Sequence, residues 1–178
     1  LHDMGVQADS FTGSQAGFLT DTNHQNAKIL TINPQRVQET IDAGRVAVVA
    51  GSQGVSTDNN VTFLGRGGSD TTAVALAHGL NADACELYTD VSGVFTTDPR
   101  VCDQARKLAS ISFDELLEMT AVGCPKPAMR SVEVARSYGV RLHVRSAFTW
   151  EPGTWVNKEE NTMEKPIISA VVPDSSQS

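Results

Sequence analysis

Short apolar runs alternate with helical patterns along this chain, and that alternation limits the folds it can adopt. Residues 46–50 form a continuous apolar run, which is typical of a strand covered on both faces. A helix is predicted before it at residues 34–43, with Asn33 as its cap and Gly44 at its exit. A second strand is predicted at residues 84–90, "ACELYTD". Strands alternating with helices favour an α/β fold, with a mostly parallel sheet sandwiched by helices.

The second half of the chain continues the same alternation. Ser112 and Glu115 have the spacing of a capping box, which predicts a helix that starts at Ser112. Another helix is predicted at residues 127–138, with Met129 among its inward-facing residues. Residues 140–145, "VRLHVR", alternate between apolar and polar side chains, as in a strand with one buried face. The second half therefore supports the same fold class as the first.

The charge and the cysteine content of the chain exclude several kinds of partner. The formal net charge is -7 at pH 7, which argues against general binding of nucleic acids or anionic membranes. No apolar run approaches the ~20 residues needed to cross a bilayer. The 3 cysteines are too few and too scattered for a disulfide framework or a zinc site, and they suit a reducing compartment. We therefore expect a cytoplasmic protein with neither a nucleic-acid partner nor a membrane partner.

The composition changes near the end of the chain. Residues 157–165, "NKEENTMEK", are polar and charged and predict a linker. Residues 166–178 contain one apolar run that is typical of a single strand. Because a single strand cannot bury its own faces, we expect residues 166–178 to begin a second domain. Residues 1–156 would then belong to the first.

The segment "LGRGGSDTTAVALA", residues 64–77, places three glycines around one arginine in front of an apolar helix. Glycines let a ligand approach the backbone closely, and the first turn of a helix offers unpaired N–H groups and partial positive charge. Arg66 adds a forked donor that matches a carboxylate or a phosphate. We expect Ser69 or Asp70 to cap the helix. The segment predicts an anion site or, alternatively, a tight turn before a capped helix with a surface arginine.

A second group of polar residues lies in the segment "YTDVSGVFTTDPR", residues 88–100. Thr89 and Asp90 stand where a strand of the predicted sheet ends, which is the edge at which open α/β sheets bind ligands. Residues 98–100, "DPR", predict a second turn that carries a cation. A hairpin rich in turn-forming residues would show the same pattern, so the segment alone leaves ligand binding and a structural turn open.

Five further blocks accompany these two segments: "TGSQAG", "GSQGV", "ISFDELLEMTAVG", "RSVEVARSYGVRLHVRSAF" and "PGTWV". In their order along the chain, the seven blocks resemble the C-terminal two thirds of the kinase domain of aspartate kinases of the actinobacterial type. Residues 166–178 resemble the first strand of the ACT regulatory domains that follow in that family. The resemblance therefore implies the amino-acid kinase fold over residues 1–156 and the start of an ACT (α+β) domain.

Members of that family phosphorylate the side-chain carboxylate of L-aspartate from Mg²⁺–ATP, an early step towards lysine, threonine and methionine. The resemblance implies Arg66 and Asp70 as catalytic candidates. The residues that it implies for aspartate binding are Arg66, Gly67, Gly68 and Ser69. The residues that it implies for ATP binding are Thr89, Asp90, Phe95, Thr96, Thr97, Asp98, Pro99, Arg100 and Lys126. It implies no protein residue as a metal ligand, and it implies homo- or hetero-oligomers formed through the kinase and ACT domains.

The sequence departs from the family in two places. The family has Gly-Ser-Lys in its ATP site, whereas here Gly123, Cys124 and Pro125 precede Lys126, which puts the lysine one position late. The family's Lys-Phe/Tyr-Gly-Gly loop is missing, so we expect a fragment of a longer enzyme that is inactive alone. Two alternatives stay open: a non-catalytic nucleotide-binding module, and a sibling kinase acting on glutamate, acetylglutamate or a nucleoside monophosphate.

The remaining polar and aromatic side chains favour structural roles. His143 stands on the polar side of a predicted strand, where a solvated or packed imidazole is expected rather than a catalyst. Arg141 and Arg145 share that side and are expected to be structural or to lie between subunits. Trp150 and Trp155 flank a predicted turn, and we expect them to pack within the protein.

Overall fold

The computed structural model describes residues 1–124, 126–158 and 168–172. Contacts within the chain divide it into two compact units, Leu1–Ala82 and Asp83–Ser178. After a short 3₁₀ helix, His2–Met4, the first unit contains β1 (Ala8–Phe11), β2 (Phe18–Thr20), β3 (Ile29–Ile32), α1 (Gln35–Asp42), β4 (Val46–Val49), β5 (Gln53–Ser56), β6 (Val61–Phe63) and α2 (Gly68–Gly79). The second unit contains β7 (Cys85–Thr89), β8 (Ser110–Ser112), α3 (Phe113–Ala121), α4 (Met129–Tyr138), β9 (Leu142–Ser146) and β10 (Thr154–Asn157).

The first unit contains two sheets. Strands β1 and β4 form a parallel pair, and a mixed sheet has the order β3-β2-β5-β6. Within the mixed sheet, β2 is parallel to β5, while the two outer pairs are antiparallel. Helix α1 packs on β4 and helix α2 packs on β3. Buried apolar side chains from both sheets and both helices form one cluster: Phe11, Ala16, Phe18, Val37 and Ala75.

The second unit is built on one sheet with the order β7-β9-β10-β8. Strand β9 is parallel to β7 and antiparallel to β10, and β10 is parallel to β8. Helix α3 packs on β8 and β10 and also on α4. The strand that comes last among the described elements therefore lies inside its sheet rather than at an edge.

The predicted α/β fold class is confirmed, and several local signals are confirmed with it. The described strands make four parallel and three antiparallel pairs. The capping box of α3 is present, because the Glu115 N–H donates to the Ser112 hydroxyl and the Ser112 N–H donates to the Glu115 carboxylate. Gly139 follows α4 with a φ of 69°, the left-handed conformation that ends many helices.

Two expectations about buried side chains are wrong. Strand β4 is not covered on both faces within the described residues, since Val46 is 41% exposed and Val48 is 49% exposed. Among the described strands, β4 pairs with β1 alone, and α1 is the helix that packs on it. Met129 is 42% exposed because α4 begins at that residue, two positions later than predicted, and its inward face starts with Ser131 instead.

Two smaller expectations also differ from the structure. Helix α1 begins at Gln35 after Pro34, and no side chain caps it, so Asn33 is not the cap. Trp150 is 92% exposed and does not pack within the protein, whereas Trp155 is half-buried in β10. The ring of Trp155 stacks on His143 with 4.0 Å between their centroids.

The end of the chain is described only in part. Residues 159–165 of the predicted linker, and residues 166–167 and 173–178 of the predicted ACT strand, lie outside the described residues. Residues 168–172 have no regular secondary structure, and the Val171 N–H donates to the Thr96 carbonyl at 2.7 Å. The division into domains therefore stays a prediction. None of the described helices combines the length and the apolar character needed to cross a bilayer.

Candidate functional site

The glycine turn in the first unit leads directly from β6 into α2. The Leu64 N–H donates to the Ser52 carbonyl at 2.9 Å, and the Gly68 N–H donates to the Gly65 carbonyl at 3.1 Å. Gly67 is the N-cap of α2 with a φ of 70°, a left-handed conformation that costs a residue with a Cβ more than it costs glycine. The turn is therefore a defined backbone structure rather than a loose loop.

Buried threonines hold the first turn of α2 in place. The Thr71 hydroxyl donates to the Gly67 carbonyl at 3.1 Å, and the Thr72 hydroxyl donates to the Gly68 carbonyl at 2.8 Å. The Thr72 hydroxyl also accepts the Ser52 N–H at 3.0 Å, which ties the helix to the turn after β4. These contacts fix the direction of the helix N-terminus without using any charged side chain.

The predicted side-chain cap of α2 is wrong. No side chain in the described part of the chain caps the helix, and the N-cap position belongs to Gly67, which has no side chain to offer. Ser69 is exposed, and Asp70 is half-buried in the first helical turn. Ser69 is therefore turned towards solvent, where a hydroxyl next to the helix N-terminus can meet a ligand.

Arg66 is exposed, and its guanidinium has no hydrogen bond or ion pair with any residue that the structure describes. It precedes a helix N-terminus, where backbone N–H groups and the helix dipole favour negative charge. A forked cation without a protein partner beside such an end can receive a carboxylate in two parallel hydrogen bonds. The first unit therefore assembles all the residues predicted for aspartate binding in one turn.

The predicted nucleotide residues lie in the second unit, beginning at the carboxyl end of β7. The Thr89 hydroxyl accepts the Val91 N–H at 3.0 Å and lies 3.1 Å from the Val91 carbonyl, so it closes the turn after the strand. The Thr89 carbonyl accepts the Ala147 N–H at 2.7 Å. Asp90 follows with an exposed carboxylate, and its Oδ1 lies 3.9 Å from the Lys126 ammonium. Thr89 therefore shapes the turn that presents Asp90.

Residues 94–108, which we call loop 94–108, form a long loop whose two sides are joined by hydrogen bonds. Phe95 and Lys107 form an antiparallel bridge, and the Thr96 N–H donates to the Arg106 carbonyl at 2.9 Å. The Arg106 N–H donates back to the Thr96 hydroxyl at 3.0 Å. Thr97 is half-buried and Pro99 is exposed at the tip. The loop therefore has a ladder at its base and a turn at its tip.

Asp98 and Arg100 pair within the tip of loop 94–108. The Asp98 carboxylate accepts the Arg100 backbone N–H at 2.8 Å and its Nη2 at 2.7 Å. These bonds to Arg100 hold the pKa of Asp98 below its ordinary value. The pKa of Arg100 is raised, chiefly by its hydrogen bond to Asp98 and in smaller part by the charge of Asp90. Asp90, Asp98, Arg100 and Lys126 thus form one group of compensating charges.

Lys126 is the candidate for the lysine that the resemblance implies in the ATP site. Its ammonium lies 3.9 Å from the Asp90 carboxylate. The Cys124 thiol donates weakly to the Lys126 carbonyl at 3.5 Å, and burial raises the pKa of that thiol. Cys124 is therefore a protonated neighbour rather than a nucleophile.

Within the described residues, no group of three or more His, Cys, Asp or Glu side chains could hold a metal ion. Mg²⁺ is commonly held by substrate phosphates with only one or two protein carboxylates. The exposed Asp90 carboxylate fits that pattern, and a dedicated metal cage is not expected.

Sequence reasoning missed two structural supports of the nucleotide residues. One is a cluster on β7 and β9, in which Glu86 accepts hydrogen bonds from Tyr88 at 2.7 Å and Arg145 at 3.0 Å and lies 2.9 Å from His143 Nδ1. The other is Thr154, whose hydroxyl contacts both ends of loop 94–108. The alternation of apolar and polar residues in β9 could have indicated the Glu86 cluster. For Thr154, the sequence offered no indication beyond its place in the "PGTWV" block.

Comparisons with known proteins identify the family to which the chain is related. The sequence pattern described as the Amino acid kinase family matches residues 1–146. The aspartokinase of Corynebacterium glutamicum is 49% identical over 180 residues, which cover 99% of this chain and 43% of that protein. An aspartate kinase of Stutzerimonas stutzeri is 54% identical over 172 residues, which cover 96% of this chain and 42% of that protein.

A solved structure gives the same result. E. coli aspartokinase III in complex with aspartate and ADP matches with a TM-score of 0.79 and 30% identity, over 90% of this chain and 37% of that one. The chain thus spans less than half the length of each of these three relatives.

Proposed function

The chain belongs to the amino acid kinase family, and on that premise we propose that the protein is an aspartate kinase. It would transfer the terminal phosphoryl group of ATP to the side-chain carboxylate of L-aspartate and form 4-phospho-L-aspartate. The observation that carries the proposal is the exposed Arg66, which pairs with none of the described residues and lies in a glycine turn at a helix N-terminus. Aspartokinases about half identical over nearly the whole chain support it.

Aspartate would bind at the glycine turn. The backbone of Gly67 and Gly68 and the Ser69 hydroxyl would donate to its carboxylate, and Arg66 would add a charge-assisted pair of hydrogen bonds. Asp70, in the first turn of the same helix, would orient the substrate ammonium group. These roles need no group to remove a proton, because a carboxyl with a pKa of about 3.9 is already ionised at neutral pH.

The second unit would hold the nucleotide. Thr89 shapes the turn after β7, and loop 94–108 presents Arg100 at its tip. Arg100 and Lys126 would each exchange a carboxylate partner for a phosphate oxygen. Mg²⁺ carried by the phosphates would neutralise their charge, with Asp90 as the protein carboxylate beside it. Phe95, Thr96, Thr97, Asp98 and Pro99 would form the wall of this site.

Repulsion between the two reactants is the main barrier that such a site must lower. Two unit negative charges about 4 Å apart repel by ~4 kcal/mol at an effective dielectric constant of about 20. Cations and helix N–H groups fixed in advance offset that repulsion without reorganising during the reaction. The residues proposed here supply this compensation: two arginines, one lysine and one helix N-terminus.

The proposal extends to the cellular role of the protein. An aspartate kinase would act in the cytoplasm, at the start of the route to lysine, threonine and methionine. It would assemble into oligomers through its kinase and regulatory domains. These expectations follow from the resemblance, and they apply only if the protein phosphorylates aspartate.

The test is an assay of acyl-phosphate formation by the full-length protein. Hydroxylamine traps an acyl phosphate as a coloured hydroxamate, so product formation can be measured with MgATP and each candidate acceptor. We expect hydroxamate with L-aspartate and little with L-glutamate. Turnover that depends on glutamate instead would assign a sibling kinase. Nucleotide binding without turnover on any acceptor would assign a non-catalytic module.

A further inference from the structure

The "PGTWV" block, residues 152–156, has no role in the reaction described so far, yet it contacts the proposed nucleotide site. Thr154 begins β10 and is fully buried, with 0% of its surface exposed. A buried hydroxyl needs hydrogen-bond partners, since leaving one unpaired costs free energy. The partners of this hydroxyl lie at both ends of loop 94–108.

The Thr154 hydroxyl closes the base of the loop. It accepts the Val94 N–H at 2.8 Å and donates to the Leu108 carbonyl at 2.6 Å. Val94 and Leu108 also contact each other, because the Leu108 N–H donates to the Val94 carbonyl at 2.8 Å. One side chain, distant in sequence from both ends of the loop, therefore joins these two ends.

The backbone of Gly93 lies close to the Thr154 hydroxyl. Gly93 has a φ of 144°, and a Cβ placed there would lie 2.6 Å from the Thr154 hydroxyl oxygen. That distance is too short for a carbon and an oxygen that are not bonded. The close approach of Gly93 to the Thr154 hydroxyl therefore requires a residue without a Cβ at position 93.

A second contact joins the same block to the loop. The Lys107 ammonium donates to the Pro152 carbonyl at 2.7 Å and lies 3.5 Å from the Glu151 carboxylate. Because Lys107 also bridges to Phe95, this contact holds the side of the loop from which the tip residues extend. The block thus contacts the loop through the buried Thr154 hydroxyl and through the Pro152 carbonyl, which accepts a hydrogen bond from the half-buried Lys107 of the loop.

The register of the sheet connects Thr154 to the end of β7. Thr154 is the partner of Val144 in β9, and Val144 is in turn the partner of Leu87 in β7. Leu87 precedes Thr89 by two residues. A shift of Thr154 against the loop would therefore change where Arg100 lies relative to Thr89 and Asp90.

We propose that Thr154, assisted by the Lys107–Pro152 contact, is a positioning residue for nucleotide binding. Its hydroxyl fixes loop 94–108 to the sheet that carries Thr89 and Asp90, so the two parts of the nucleotide site keep their spacing. The inference rests on the proposed function for its kinetic consequence. It does not rest on that function for its structural consequence, which is the rigidity of the loop.

The test compares Thr154→Val with Thr154→Ser in the full-length protein. Valine preserves the shape but removes both hydrogen bonds, whereas serine keeps the hydroxyl. We expect Thr154→Val to raise the KM for ATP about ten-fold, as expected for the loss of one buried hydrogen-bonding group, with a smaller change in kcat and none in the KM for aspartate. Peptides covering residues 94–108 should also exchange their amide hydrogens faster. Thr154→Ser should restore both values to near wild type.

Thr40→Val is the matched control. Thr40 is buried in α1 of the first unit, and its hydroxyl donates to the Arg36 carbonyl at 3.1 Å. We expect this variant to lose stability as Thr154→Val does, without a change in the KM for ATP or in exchange of loop 94–108. If Thr154→Val behaves like this control, Thr154 is merely structural and the proposal is wrong.

Two further outcomes separate the inference from the proposed function. Amide exchange is measured without nucleotide, so unchanged exchange in Thr154→Val overturns the inference even if the enzyme phosphorylates aspartate. A wild-type protein that lacks ATP-dependent turnover overturns the proposed function, while faster exchange in Thr154→Val still supports the positioning of the loop. If Thr154→Val does not fold, Lys107→Met should raise the KM for ATP about three-fold, and an unchanged KM contradicts the proposal.

Discussion

Arg66 in the first unit and Arg100 in the second are both exposed arginines proposed to bind anionic substrates, but their pairing within the protein differs. Arg66 is exposed and has no ion pair with any residue in the described ranges. Arg100 already holds the Asp98 carboxylate through its Nη2 at 2.7 Å and its Nε at 3.1 Å. Under the proposed function, Arg66 would be ready for aspartate, while Arg100 would stay paired with Asp98 until a nucleotide displaced that carboxylate.

The ligands proposed for the two units explain why this difference is useful. Aspartate carries one reacting carboxylate and would gain little if it had to displace a protein carboxylate first. A nucleoside triphosphate brings several negative charges and its own Mg²⁺, so it can compete with Asp98 for Arg100. Pairing in the absence of nucleotide also keeps loop 94–108 ordered, since the Arg100 backbone N–H is bound by the same carboxylate.

The largest expected effect comes from removing the cation that has no partner. Arg66→Ala should raise the KM for aspartate about 100-fold, because a bidentate charge-assisted contact is lost, while the KM for ATP changes less than about two-fold. Steady-state kinetics with each substrate varied in turn measure both values. Arg66→Lys, which keeps the charge but not the fork, should fall between wild type and alanine. Equal increases in both KM values would contradict the assignment of aspartate to the first unit and ATP to the second.

A smaller effect is expected from Glu86, a second paired carboxylate of the second unit. Hydrogen bonds from Tyr88 and His143, and a weaker contribution from Arg145, lower the pKa of Glu86 from 4.5 to about 2. A carboxyl whose pKa is lower in the folded state stabilises the protein above its unfolded value of 4.5. That stabilisation is lost as the pH falls from 4.5 towards 2.

Urea unfolding as a function of pH measures this contribution. Because Glu86 is partly exposed, we expect Glu86→Gln to lower the free energy of unfolding by about 1 kcal/mol at pH 6. The difference from wild type should shrink steadily below pH 4.5. Glu118→Gln, on the exposed face of α3, is the control and should show no such trend. A difference that stays constant down to pH 3 would mean that Glu86 acts by packing alone.

The smallest expected effect comes from making Arg100 resemble Arg66. Asp98→Asn keeps an oxygen that can accept the Arg100 backbone N–H but removes the negative charge. We expect the KM for ATP to fall about three-fold, as is typical of exposed ion pairs, with a stronger dependence on salt. Steady-state kinetics at two ionic strengths measure it. A rise in KM would indicate instead that the Asp98 charge serves the nucleotide directly.

The sequence predicted those parts of the fold that depend on neighbouring residues. The capping box of Ser112 and Glu115 sets the start of α3 by contacts three residues apart, so it is visible in the sequence and present in the structure. The end of β7 at Thr89 is equally local, because a strand pattern is followed by turn-forming residues. The resemblance then supplied the family, which the matching sequence pattern confirms.

Features that depend on distant residues could not be predicted in the same way. The exposure of Val48 follows from which strands join β4, and an apolar run carries no information about that choice. The missing cap at Ser69 follows from a left-handed Gly67 that takes the N-cap position itself. The role of Thr154 follows from partners 60 and 46 residues away. Which of the predicted site residues touch a substrate stays a prediction until the kinetic tests are made.

The central place of β10 in its sheet has a consequence for synthesis of the chain. Among the described strands, β8 pairs with β10 alone, and β10 is made more than 40 residues later on the ribosome, as the step from Ser112 to Thr154 implies. Until β10 has emerged, β8 and α3 have no sheet to join. A truncation before Thr154 should therefore leave that half of the unit unfolded rather than merely shortened, and the sheet can close only after β10 has been made.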